Sequence, residues 1–136
     1  MSLKSYLAIA MAFSSLALAA QPAAAASPSF NCNSSTLNDA ERTICQSRYL
    51  SMLDRRMSRK YFKVRGMLAP WARNRLRRVQ RMWLFERNSC EDYRRCIASA
   101  YGRRIRQLNQ FENCFDHTSA PRCIPRLMRR HAHSLH

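Results

Sequence analysis

The sequence predicts an all-α fold: a small, disulfide-stapled antiparallel bundle of three to four helices. Three observations carry that expectation. Apolar residues recur at spacings of three and four through successive segments, which places them on single helical faces. No stretch shows the two-residue alternation of a half-buried strand. Six cysteines, an even number, all lie beyond residue 26 of this 136-residue chain, as expected for internal staples in a small exported domain.

The first 26 residues read as a cleaved signal peptide. Lys4 supplies a positive start, Leu7–Ala20 (LAIAMAFSSLALAA) an apolar run, and the alanines at 23–26 a small-residue cleavage site. That run is shorter than the ~20 residues a membrane-spanning helix needs, so the chain is expected not to span a membrane. The remainder of the chain suffices for one modest core. The expected layout is a helical domain over residues 27–111, then a disulfide-containing basic C-terminal extension over 112–136. Export is expected to place the chain in an oxidising compartment, periplasmic or extracellular.

In an oxidising compartment Cys32, Cys45, Cys90, Cys96, Cys114 and Cys123 form disulfides. Spacing favours three local closures, 32–45, 90–96 and 114–123, although spacing alone leaves the other connectivities open. A zinc site is disfavoured because no C-x-x-C pair occurs.

The helices are expected in this order. Pro28–Leu37 is polar and extended. Asn38 can cap a short helix over Asp39–Gln46, with Glu41 completing a capping box. Ser47 can cap a longer one over Arg48–Met67, whose face carries Leu50, Leu53, Met57, Tyr61 and Val64, continuing to Leu68. Gly66 and Pro70 punctuate the turn. The next helix, Trp71–Ser89, aligns Leu76, Val79, Trp83 and Cys90 on one stripe, with Met82 and Phe85 widening the apolar side. A Cys90–Cys96 link bends the chain into a fourth helix, Asp92–Phe111, built on Ile97, Tyr101, Ile105 and Leu108. Beyond Phe111, two prolines, two cysteines, four arginines and all four histidines suggest a stapled extension and a mobile basic tail.

Charge bounds the partners. The formal net charge is +16, and 21 of the 24 basic residues are arginine. Such a surface favours polyanions: nucleic acid, lipid phosphates, anionic glycans or an acidic protein. Arg73, Arg77 and Arg81 form an i,i+4 stripe, and with Arg78 they are the candidate anion-binding residues, because a guanidinium fork fits phosphate or carboxylate in bidentate geometry. Nucleic-acid reading would need exposed aromatics or a placed recognition helix, whereas Tyr61, Trp83 and Tyr101 fall on core faces. No nucleic-acid partner is expected.

Three segments resemble a known family. FNCNSSTLNDAERTIC followed by LSMLDRRMSRKY is similar to its opening, a cysteine, E-[KR]-x-I-C, L-x-x-L-D and a tyrosine seven residues after the aspartate. VQRMWLFERNSC resembles its Q-R-x-W-L-x-x-R-x-x-C helix. CIASAYGRRIRQL resembles its C-[LI]-x-x-x-Y-x-x-R-I-x-x-L closing helix. This is the lysozyme-inhibitor LprI-like N-terminal domain family of small exported bacterial proteins, and the likeness spans about Phe30–Leu108. It implies family cysteines at Cys32, Cys45, Cys90 and Cys96, and signature positions at Leu53, Asp54, Tyr61, Gln80, Trp83, Leu84, Arg87, Tyr101 and Ile105. It further implies a helical exported domain, with lysozyme as a partner for some members. Cys114, Cys123, the basic end and the high positive charge depart from the pattern.

Asp54 and Arg87 are the most interesting charged residues. In an antiparallel hairpin they are expected near opposite ends or sides, with a structural role favoured over catalysis. No acid–base or nucleophilic constellation stands out, so the protein is expected not to be an enzyme and to need no cofactor. H-x-H-x-x-H at His131, His133 and His136 offers imidazole ligands, but on an unfixed tail a solvated role is favoured, and no metal is expected. Two functions remain in view. The first is an exported, non-enzymatic binding protein of the lysozyme-inhibitor kind, acting on lysozyme or another envelope protein. The alternative is a cationic envelope protein that binds anionic surface polymers such as lipopolysaccharide.

Overall fold

The computed structural model describes residues 27–116 and 120–133. The expected signal peptide, His117 and His136 lie outside them. Five helices and no strand occur among the described residues: α1 (Asp39–Gln46), α2 (Arg48–Met67), α3 (Pro70–Asn88), α4 (Arg94–Asp116) and α5 (Ala120–His133). The fold is all-α. None of the described helices is long and apolar enough to cross a membrane.

Local chemistry sets the boundaries. Asn38 accepts from the Glu41 backbone N–H (3.0 Å) and Glu41 Oε2 accepts from the Asn38 N–H (3.1 Å), a complete capping box. Ser47 ends α1 and caps α2, its hydroxyl accepting from the Leu50 N–H. Pro70 occupies the first turn of α3, where its missing N–H removes no helical bond. The turn into α4 holds Glu91 at φ 51°, a left-handed conformation uncommon for a residue with a Cβ. It is held between the Cys90–Cys96 disulfide and the Tyr93 N–H to Cys90 C=O bond of 3.0 Å.

α4 packs chiefly against α2 and also against α3, α1 touches both α2 and α3, and α2 and α3 run back on one another from the turn before Pro70, with Gln80 reaching Met57 across them. Leu50, Met57 and Val64 of α2, Leu76 and Trp83 of α3, and Ile97, Tyr101, Ile105 and Leu108 of α4 meet in one core. These are the stripes read from periodicity. Each fully buried aliphatic side chain contributes ~1.5–3 kcal/mol through lost apolar hydration. The three disulfides are Cys32–Cys45, Cys90–Cys96 and Cys114–Cys123, the pairing that spacing favours. They fit an exported protein.

Three expectations need correction. α4 does not end at Phe111 but continues to Asp116. The segment read as a mobile tail contains α5, which packs against α3 and α4. Ile124, Leu127, Met128 and His131 are its buried residues, and their spacings of 3, 1 and 3 trace one face that the prolines and arginines obscured. Met82 and Phe85 do not widen the core; Phe85 is 78% exposed, because α1, α4 and α5 cover only the opposite side of α3.

Candidate functional site

Three of the residues that carry the resemblance converge on a buried polar lattice. Asp54 comes from α2, Arg87 from α3 and Tyr101 from α4, each at most 2% exposed. The Tyr101 hydroxyl donates to Asp54 Oδ1 at 2.8 Å and accepts from Arg87 Nη1 at 3.2 Å. Arg87 Nη2 donates to Glu41 Oε1 of α1 at 3.2 Å, and Nε donates to Asn88 Oδ1 at 3.0 Å. The second Asp54 oxygen accepts the Ser29 N–H at 2.5 Å. One network thus joins four helices to the N-terminal segment, which the Cys32–Cys45 bridge pins to α1.

Asp54 and Arg87 are therefore not at opposite ends of the hairpin. They lie at similar distances from the α2–α3 turn, so the antiparallel fold brings them level, and Tyr101 bridges them. Burial, with Asp54 reinforcing and Arg87 opposing it, pushes the Tyr101 hydroxyl far above its ordinary pKa. It stays protonated and serves as a donor to the carboxylate. Trp83 completes the surroundings: its ring meets Tyr101 edge-on at 5.4 Å, Arg87 lies 5.9 Å from its centroid, and its Nε1 donates to the Ala100 carbonyl.

A second polar layer lies further along the bundle. Gln80 donates to Met57 Sδ at 3.4 Å and accepts from Arg104 Nε at 2.9 Å. Arg104 is fully buried, forms no ion pair among the described residues, and has one terminal nitrogen without a partner. Burial pushes its pKa down to about 10, against the opposing pull of Tyr61 and Glu86, so it remains charged at neutral pH. His131 of α5 is buried too, with Nε2 unpartnered. Burial and the nearby charges of Arg104 and Arg130 hold its pKa below the ordinary value. This replaces the expectation of a solvated tail histidine. No cluster of three metal-ligating side chains occurs among the described residues.

Other residues that carry the resemblance are framework as well. Ile105 is buried, and Leu53, Tyr61 and Leu84 pack against the core. The candidate anion-binding arginines divide. Arg73 and Arg77 line a cavity of about 210 Å³ with Arg65, Pro70 and Asn74; Arg78 and Arg81 are exposed outside it. Arg65 and Asn74 were missed because cross-hairpin proximity is not a feature of either helix alone. Arg104 was legible: it falls three residues after Tyr101 and four before Leu108, on the same stripe. Glu41 was visible as a cap residue, but not as the partner of Arg87.

The arrangement is a helical bundle in which two guanidinium groups, Arg87 and Arg104, are buried in polar networks between helices, while Arg73, Arg77, Arg78 and Arg81 face outward. No family model, curated protein or solved structure matches the chain.

Proposed function

We propose that the protein is an exported, non-enzymatic binding protein that recognises anionic groups through its outer arginines. One observation carries this reading. Asp39, Glu41, Glu86 and Glu112 are engaged in ion pairs and Asp54 in the buried lattice, while Arg77, Arg78 and Arg81 are exposed and have no carboxylate partner among the described residues.

The resemblance of its three quoted segments to the LprI-like family is what supports a partner of the lysozyme kind. Lysozyme works with two carboxylates in a cleft, and an arginine presented on a rigid bundle can pair with one of them in fork geometry. The test is lysozyme-driven clearing of a cell-wall suspension with purified, oxidised protein added. Inhibition that weakens in Arg77→Ala/Arg81→Ala supports the reading. Undiminished lysis at large molar excess, across several lysozyme types, rejects it.

The cavity formed by Arg65, Arg73 and Arg77 favours a second reading, binding of anionic surface polymers such as lipopolysaccharide. Retention on an anionic resin should then fall steeply as salt rises. Salt-insensitive retention rejects the electrostatic version.

A further inference from the structure

Two clefts of opposite chemistry share the α2–α3 turn. One, of about 360 Å³, is apolar and is walled by Met67, Leu68, Trp71, Phe115, Ile124 and Pro125, a volume within the ~300–1,000 Å³ range of small-molecule sites. The other is the arginine cavity of α2 and α3. Trp71 and Ala72 line the first, while Pro70, Arg73 and Asn74 line the second, so the first turn of α3 is the wall between them. Trp71 is 56% exposed at the apolar mouth.

The charge around this turn is uncompensated. No Asp or Glu occurs between Asp54 and Glu86, which leaves the hairpin cationic over most of its length. Lys60 and Lys63 are paired with Glu112 of α4, but Arg65 and Arg77 have no carboxylate partner among the described residues. Arg73 spends its Nε on the Leu68 carbonyl at 2.6 Å. That bond anchors the guanidinium at the turn while its terminal nitrogens remain available. A soluble polyanion would satisfy the arginines but leave the neighbouring apolar cleft wet.

We propose that the α2–α3 turn binds an anionic lipid, its headgroup phosphate in the cavity of Arg65, Arg73 and Arg77 and its acyl portion in the cleft beneath Trp71. The combination is that of an interfacial anchor, in which a tryptophan sits at the apolar boundary and arginines engage the headgroups. This rests on the anionic-ligand reading and narrows it to one site and one ligand class.

The chain has two tryptophans: Trp83, buried in the core, and Trp71, exposed. Fluorescence therefore reports the site directly. The oxidised protein is titrated with phosphatidylcholine vesicles, with and without phosphatidylglycerol. A blue shift with the anionic vesicles alone, abolished in Trp71→Phe, is the expected result. Arg65→Gln/Arg77→Gln should lose on the order of tenfold or more in affinity, the worth of two basic residues at an anionic surface. Arg78→Gln/Arg81→Gln, outside the cavity, should lower retention on heparin resin yet keep the shift. Thermal melts establish that both variants fold.

Salt-labile binding without a Trp71 shift, or equal losses in the two variants, overturns the lipid site and leaves the general anion reading standing. Failure to bind either heparin or anionic vesicles overturns both. A shift induced equally by inorganic phosphate overturns the lipid in favour of a free anion. A shift that grows with protein concentration without vesicles assigns the cleft to a second copy of the chain and equally overturns it.

Discussion

Arg87 and Arg104 are both long cationic side chains buried in the same bundle, at 2% and 0% exposure, yet their surroundings differ. Arg87 has a carboxylate in Glu41, a hydroxyl in Tyr101 and an amide in Asn88. Arg104 has two glutamines, no carboxylate and one unpartnered nitrogen. A buried charge with full hydrogen bonding fixes geometry, whereas an uncompensated one is a cost that surrounding packing must offset. The end of the molecule organised by Arg87 is therefore expected to be the rigid one. The end where Arg104 faces α5 is expected to be the adaptable one, and the apolar cleft at the α2–α3 turn borders that same helix through Ile124 and Pro125.

The largest effect expected from this contrast is at Arg87. Arg87→Met should cost ~3–5 kcal/mol, since it leaves the carboxylates of the lattice without their cation; urea unfolding measures it. A loss below ~1 kcal/mol would break the comparison, because Arg87 would then behave like a surface charge. Cys32→Ser/Cys45→Ser should cost ~2–4 kcal/mol and raise amide exchange at Ser29, whose N–H is held by Asp54. Tyr101→Phe removes only the bridging hydroxyl and should cost ~1–3 kcal/mol, with near-native ring packing against Trp83.

On the opposite side of the contrast, Arg104→Met should change stability by less than ~1 kcal/mol or increase it, because an apolar chain of similar length carries no desolvation cost. A loss as large as that of Arg87→Met would erase the distinction.

The smallest effect is a pH dependence at α5. His131 has a folded-state pKa below its unfolded value, because burial and the charges of Arg104 and Arg130 disfavour the imidazolium. The unfolded state binds the extra proton first. Stability from this group is present above the ordinary value of ~6.5 and is lost as pH falls from there towards the folded pKa. Amide exchange in α5 should accelerate over that interval before the rest of the bundle responds, and the early phase should vanish in His131→Leu.

How much could be read in advance depended on range. Leu50, Met57 and Val64, or Ile97, Tyr101 and Ile105, announce a buried face because their spacing is a property of one helix. Asn38, Glu41 and Ser47 announce α1 and the start of α2 because a cap is satisfied within four residues. The Asp54–Tyr101–Arg87–Glu41 lattice was legible only as separate letters. α5 was misread because Pro121 and Pro125 are strong local signals, and its fixation depends on the surface of α3 and α4 and on the Cys114–Cys123 bridge.

The sequence by itself determined the first four helices and their buried stripes, the cationic exterior and the closures that short cysteine spacings favour. All of these arise from interactions within a few residues or from summed charge. Only the tertiary structure decided that Tyr101 stands between Asp54 and Arg87, that Arg104 is buried without a carboxylate, and that Arg65 joins Arg73 and Arg77 beside an apolar cleft. Each of those depends on how two or more helices are set against one another, which is fixed when the whole core closes and by no single segment.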